Sequence, residues 1–207
     1  KSPSKKWALL IGVNDYVHGR NLKYAVNDQV FFSRRLVEAG FSAQHIFSLL
    51  SGAKNAKDQP FKRNIEIRLQ TVAGLADEGD FVLVAFSGHG VHVNGESYIC
   101  PADADPKGPK TTMIKVTDIY KALNKSKATF KLIVVDACRN IQLAAEKRSL
   151  VDENKSRRGI AKTFAAPPRG ILVLSSSAVG QYSIESPKLK QGVFMSYLQH
   201  GLTGVAD

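Results

Sequence analysis

The strongest constraint on how this chain folds is an alternation: short apolar runs that end in glycine or a polar residue, separated by segments with helical periodicity. Trp7 to Gly12 (WALLIG) is a brief continuous apolar run closed by a glycine, the pattern of a strand buried on both faces of a parallel sheet. From Asn27, NDQVFFSRRLVEAGF sets Val30, Phe31, Leu36 and Val37 at helical spacing, with Asn27 or Asp28 as the cap and Gly40 as the stop. A second strand is expected over Ile46 to Leu50. Asn64 then opens a helix, IEIRLQTVAGLA, whose Ile65, Leu69, Val72 and Leu75 share a face. A third strand, Asp80 to Phe86, runs into Ser87-Gly88-His89-Gly90, and VHVNGESYIC alternates about Asn94-Gly95, a hairpin-turn dipeptide. VTDIYKAL (116–123) reads as a helix with Thr117 as its candidate cap. Phe130 to Val135 reads as a fourth buried strand leading into Asp136-Ala137-Cys138, ILVLS as a fifth, and GVFMSYLQHGL as a last helix.

Strands alternating with helices predict an α/β fold with a mostly parallel sheet covered on both faces. At 207 residues and 43% hydrophobic, the chain can bury one substantial core, so a single domain is expected. The stretch from about 146 to 168 has no sustained apolar period and ends in Pro167-Pro168, which reads as an exposed linker between residues 1–145 and 169–207. No apolar run approaches the roughly 18 residues needed to span a bilayer, and KSPSKKW does not resemble a secretory signal. The expectation is a soluble, monomeric piece with no membrane partner, cytoplasmic favoured, excised from a longer protein because GLTGVAD stops directly behind a helical segment. Two cysteines, Cys100 and Cys138, are too few for a disulfide framework and read as free thiols. The formal charge of +11 is spread along the chain, with one denser stretch at 147–158, and no groove-reading or RNA-binding motif accompanies it. A solvated basic surface is therefore favoured over a nucleic-acid-binding module, which steep salt dependence of polyanion binding would reveal.

In open parallel sheets, ligands bind beyond the carboxyl ends of the strands. Two strands here end in reactive residues, the third in Ser87-Gly88-His89-Gly90 and the fourth in Asp136-Ala137-Cys138-Arg139-Asn140. Cysteine attacks as its thiolate, a minor species at neutral pH unless an imidazole favours it, and His89 can both supply that help and carry a proton to a leaving amine. Glycines around His89 would let a substrate backbone approach closely. The backbone N–H groups of Gly90 and Cys138 are the candidate oxyanion donors.

These motifs make the chain resemble the caspase-like cysteine peptidases (family C14), and most closely their bacterial metacaspase or orthocaspase branch. Ala137-Cys138-Arg139 follows the caspase pattern, with His89 about 50 residues upstream and Asp136 where caspases carry Gln, a metacaspase and paracaspase habit. The likeness runs from LLIGVNDY through AVND, SGHG, YICPADADP and DACRN to GVFMSYLQHGL. It implies a three-layer α/β/α sandwich and peptide or protein substrates cut after Arg or Lys. Asp28, Ser87 and Asp136 would form an acidic pocket, preferring the forked guanidinium of Arg. Ser176 and Tyr182 would line the cleft. Some members cut themselves in the corresponding linker, which makes Arg148, Lys155, Arg157 and Arg158 candidate self-cleavage sites. The alternative within the same fold is a silent interaction module, which retention of Cys138 and His89 counts against.

Other chemistries are poorly supported by the residues. Asp103 and Asp105 mimic the start of an EF-hand loop, but Lys107 and Ile114 occupy ligand positions, so calcium activation rests on the resemblance alone and no cofactor is expected. His89 and His92 lack a convincing third zinc ligand. Ser175-Ser176-Ser177 lacks the Gly-x-Ser-x-Gly elbow of a serine hydrolase.

Overall fold

The expected alternation becomes a seven-stranded sheet flanked by helices in the computed structural model, which describes residues 4–139, 161–176 and 183–202. In chain order the elements are β1 (Lys6–Gly12), α1 (Ala25–Glu38), β2 (Ile46–Leu50), α2 (Lys62–Leu75), β3 (Phe81–Val93), β4 (Glu96–Ile99), α3 (Pro109–Thr112), β5 (Ile114–Lys115), α4 (Val116–Lys125), β6 (Phe130–Arg139), β7 (Leu172–Ser175), β8 (Glu185–Ser186), β9 (Gln191–Gly192) and α5 (Val193–Gly201). Strands β2, β1, β3, β6 and β7 lie side by side and all parallel. β3 continues past the parallel region and turns at Asn94-Gly95, both with left-handed φ, into antiparallel β4, which pairs β5. That is the hairpin expected from the dipeptide.

Period-two alternation divides the core between the two faces of the sheet. Ala8 and Leu10 of β1, Leu83 and Ala85 of β3 and Val134 of β6 pack with Phe32 and Leu36 of α1 and Met195 of α5. Their neighbours Trp7, Leu9, Ile11, Val82, Val84, Phe86, Ile133 and Val135 pack with Ile65, Leu69 and Val72 of α2 and Ile119 and Leu123 of α4. The result is the helix–sheet–helix sandwich predicted. Burying each such aliphatic or aromatic side chain stabilises the fold by about 1.5–3 kcal/mol before entropy is counted.

Helix starts differ from expectation because their caps come from elsewhere in the fold. α1 begins at Ala25, ahead of Asn27 and Asp28, and its N-cap Tyr24 makes no side-chain cap bond. Instead Val26 N–H donates to Asn14 Oδ1 (3.0 Å), and the Lys23 and Tyr24 N–H groups donate to the Glu185 carboxylate. α2 begins at Lys62, whose N–H donates to Asp103 Oδ1 (2.8 Å), while Asn64 ties down the preceding turn through the Ala56 and Gln59 carbonyls. α4 follows β5 directly with Lys115 as N-cap, so Thr117 lies inside it. Distant acceptors satisfy orphan helix N–H groups as well as local ones do, and periodicity cannot locate them. The stop of α1 is as expected: Gly40 N–H donates to Val37 O and Phe41 N–H to Leu36 O, a Schellman closure with Leu36 and Phe41 in one cluster. Leu75, the last residue of α2, is exposed rather than on the buried stripe.

Within the stretch read as linker, residues 161–165 are helical, with Ala161 and Phe164 buried and the Thr163 carbonyl accepting from Tyr120 Oη (3.1 Å). Residues 140–160 lie outside the described residues.

Candidate active site

The parallel register of β3 and β6 decides which residues meet. Ser87 stands opposite Asp136, and His89 stands opposite both Cys138 and Arg139 across a local bulge. Bulges of this kind re-aim side chains at the end of a ladder. Two segments almost fifty residues apart are thereby joined at one carboxyl edge, as the sequence predicts.

His89 is held from three sides and is 1% exposed. Its backbone N–H donates to Tyr16 Oη (2.7 Å), and the Tyr16 ring lies against the imidazole with centroids 4.6 Å apart. Its Nε2 is 2.7 Å from the Arg20 carbonyl oxygen. A carbonyl can only accept, so Nε2 carries hydrogen and the neutral ring keeps its lone pair on Nδ1. The loop between β1 and α1 supplies both residues, and Val13 N–H at its start donates to the Ser87 carbonyl at the strand edge.

A buried polar cluster lies beside this pair. Asp28, Gln29, Ser87 and Asp136 are all fully buried. Buried carboxylates are costly unless hydrogen-bonded or near a cation. Asp28 Oδ1 accepts from Gly192 N–H (2.7 Å), Asp136 Oδ1 accepts from the Ser183 hydroxyl, and Ser87 Oγ accepts from Gln29 Nε2 (2.9 Å). Gln199 Nε2 adds a bond to the Asp28 carbonyl (3.1 Å), and Gln191 Nε2 in turn donates to Gln199 Oε1. The Glu185 carboxylate and the Lys190 carbonyl, which accepts from Asn27 Nδ2, complete a clasp of residues 183–199 around the first turn of α1. Two buried carboxylates on one face of the sheet favour a cation there.

Asp28 therefore does not cap α1; it sits one turn inside the helix and accepts from β9. Gly88 is packed against Tyr16 and Phe86 rather than left open for a substrate backbone, since a Cβ there would lie 2.8 Å from Tyr16 Oη and 2.6 Å from Phe86 Cζ. Gly90 sits where β3 passes from pairing β6 to pairing β4. Ser176 N–H donates to the Val135 carbonyl, and its buried hydroxyl has no hydrogen-bond partner among the described residues. Tyr182, Arg148, Lys155, Arg157 and Arg158 lie outside the described residues. Asp103 caps α2, Asp105 Oδ1 accepts from Lys107 N–H, and His92 Nδ1 bonds the Ser97 hydroxyl, so all three have structural employment. Among the described residues no group of three His, Cys, Asp or Glu side chains could hold a metal ion.

Sequence reading did not single out Tyr16, the Arg20 carbonyl, Gln29 or the clasp residues Ser183, Glu185, Gly192 and Gln199. For Gln29 a signal existed: Ala25, Asp28, Gln29, Phe32 and Leu36 form the buried stripe of α1, and two adjacent polar members interrupt it. The clasp has no local signal.

The family model of the caspase domain peptidases matches residues 5–206. The chain belongs to this family, C14. Among curated relatives, a probable protease from a Desulfuromonadales bacterium is 26% identical over 98% of this chain and 26% of its own length. Metacaspase-4 of Arabidopsis thaliana is 36% identical over 44% of the chain and 22% of its length. The human mucosa-associated lymphoid tissue lymphoma translocation protein 1 is 24% identical over 95% of the chain and 22% of its length. The chain thus spans about a quarter of the curated relatives it matches. Among solved structures, a Geobacter sulfurreducens protein superposes with TM-score 0.69 at 16% identity, covering 97% of this chain and 83% of that one. Pro-Sf-caspase-1 superposes at 0.55 and 16%, covering 98% and 73%. At such identities both speak for the caspase fold.

Proposed function

We propose that this domain is a cysteine endopeptidase that cuts after Arg, and less well after Lys, with Cys138 as nucleophile and His89 as proton carrier. The observation that carries the reading is the strand register that sets Cys138 opposite a His89 whose tautomer is dictated by the Arg20 carbonyl. In this mechanism Nδ1 takes the thiol proton, the thiolate attacks the scissile carbonyl, and the resulting oxyanion is met by backbone N–H groups, for which Gly90 and Cys138 are the candidates. The imidazolium then donates its proton to the departing amine as the C–N bond breaks, leaving a thioester. Water adds to that thioester with His89 as base, releasing the acid and restoring the thiol. Tyr16 and Arg20 keep the ring in place through these proton transfers.

Asp28, Ser87 and Asp136 are assigned to the pocket for the side chain before the scissile bond. Two carboxylates and a hydroxyl match the donors of a guanidinium and repel an acidic residue. Catalysis is expected without added metal or cofactor. Self-cleavage after Arg148, Lys155, Arg157 or Arg158 is consistent with the same preference and is checked by mass spectrometry of active protein beside the Cys138→Ala variant.

Fluorogenic peptides ending in Arg, Lys or Asp test the whole reading. Arg should be cut fastest and Asp not at all, with Cys138→Ala and His89→Ala each abolishing turnover while circular dichroism stays unchanged. Strong residual turnover in either variant refutes the assignment of roles. Asp-ended peptides cut as fast as Arg-ended ones refute the pocket.

A further inference from the structure

Gln29 is a polar residue whose burial the fold only half explains. It is fully buried on the sheet-facing stripe of α1, directly after Asp28, at a position where an apolar side chain would pack. Its Nε2 donates to Ser87 Oγ (2.9 Å), while its Oε1 is buried with no hydrogen-bond partner among the described residues. A buried acceptor left unbonded costs stability, so an amide with one half unpaired gives the fold less than a fully paired one would. What the amide contributes is therefore its bond to Ser87.

We infer that Gln29 is a positioning residue that sets the direction of the Ser87 hydroxyl and so determines discrimination between Arg and Lys; this rests on the pocket reading above. A serine hydroxyl has one proton and two lone pairs. Donation from Gln29 occupies one lone pair from the α1 side, which turns the second lone pair and the proton away from α1. Ser87 is paired in register with Asp136, so the remaining lone pair is presented beside that carboxylate. A guanidinium spreads five N–H donors over a planar fork and can use a third acceptor set apart from two carboxylates. An ammonium concentrates three donors at one point and gains little from it. Asp28 is anchored by Gly192 and Asp136 by Ser183, and Gln29 gives Ser87 the corresponding support.

The test is steady-state kinetics of Gln29→Met, Gln29→Leu and Gln29→Glu on matched Arg and Lys peptides, with thermal melting of each protein. Met and Leu cannot bond Ser87. They should raise KM for the Arg peptide roughly tenfold, the size expected when one hydrogen bond to a charged group is lost. The Lys peptide should change by less than about threefold, and the protein should stay folded, the loss at the Ser87 hydroxyl being partly offset by removal of the orphaned Oε1. Glu reaches the hydroxyl but can only accept its proton, which reverses the bond, so it should lose the Arg preference as Met does. A folded Met variant with an unchanged Arg-to-Lys ratio overturns the inference. So does a loss shared equally by both peptides, or a Glu variant that keeps the wild-type Arg-to-Lys ratio. A wild-type enzyme that cuts neither basic peptide overturns the pocket reading and this inference with it. A wild type that selects Arg beside an unchanged Met variant overturns this inference alone.

Discussion

Adding a single methyl group at Gly88 should dismantle the mounting of His89. The new Cβ would lie 2.6 Å from Phe86 Cζ, 3.1 Å from Phe86 Cε1 and 2.8 Å from Tyr16 Oη, all inside contact distance. These are side-chain ends, but neither can swing away: Phe86 is 2% and Tyr16 7% exposed, and the Tyr16 ring is already against His89. Overpacking of this kind costs about 1–3 kcal/mol. Pushing Oη outward also breaks its 2.7 Å bond from the His89 N–H and leaves that buried donor unsatisfied, for roughly another 1–3 kcal/mol. Gly88→Ala is thus expected to lose about 2–6 kcal/mol, or some 4–24 °C in melting temperature for a domain of this size. Tyr16→Phe removes the bond to the His89 N–H without adding the methyl group and should lose about 1–3 kcal/mol. In the double variant the departed oxygen makes room for the methyl group, so the losses should fall short of additive. Trp7, the one tryptophan and a core residue, reports unfolding by fluorescence, and peptide turnover reports His89. A Gly88→Ala protein within about 2 °C of wild type, or a strictly additive cycle, would refute the packing argument.

Asp80 offers a pH test. Burial alone would raise its pKa, but N–H bonds from Asp77 and Lys5, the Trp7 indole and the Lys5 charge outweigh burial and hold it below the ordinary value. A depressed folded pKa contributes stability above the unfolded value of about 3.9 that is lost as pH falls through the folded one, so acid titration of Asp80→Asn should show a shallower loss of stability there than wild type. Glu185→Ala leaves the Lys23 and Tyr24 N–H groups without their carboxylate; it should cost about 1–2 kcal/mol and raise KM for Arg peptides several-fold by loosening the turn that bears Asp28, as denaturation and kinetics would read. Cys100 is fully buried beside Met113, and burial pushes its thiol pKa up, so iodoacetamide on native protein should modify Cys138 alone and reach Cys100 only after denaturation. Peptide mapping of the alkylated protein checks it.

What the residues determine by themselves is local. Apolar runs such as WALLIG, the Asn94-Gly95 turn and the Gly40 stop each encode their geometry in a few neighbouring side chains, so strands, helices and the helix–sheet–helix layering are legible without coordinates. The convergence of His89 and Cys138 is legible too, because parallel strands bring their carboxyl ends to one edge. Tertiary structure decides what serves those residues. Asn14 and Glu185 bond the start of α1, Asp103 bonds the start of α2, and Gly192 bonds Asp28. Tyr16 anchors the backbone of His89 from 73 positions away, and Gln29 bonds Ser87 from 58. A hydrogen bond depends on a separation of about 3 Å and an angle, and is indifferent to distance along the chain. Periodicity and turn chemistry report only what lies within a few residues, which is why they reveal the elements and their reactive ends but not the contacts that hold them ready.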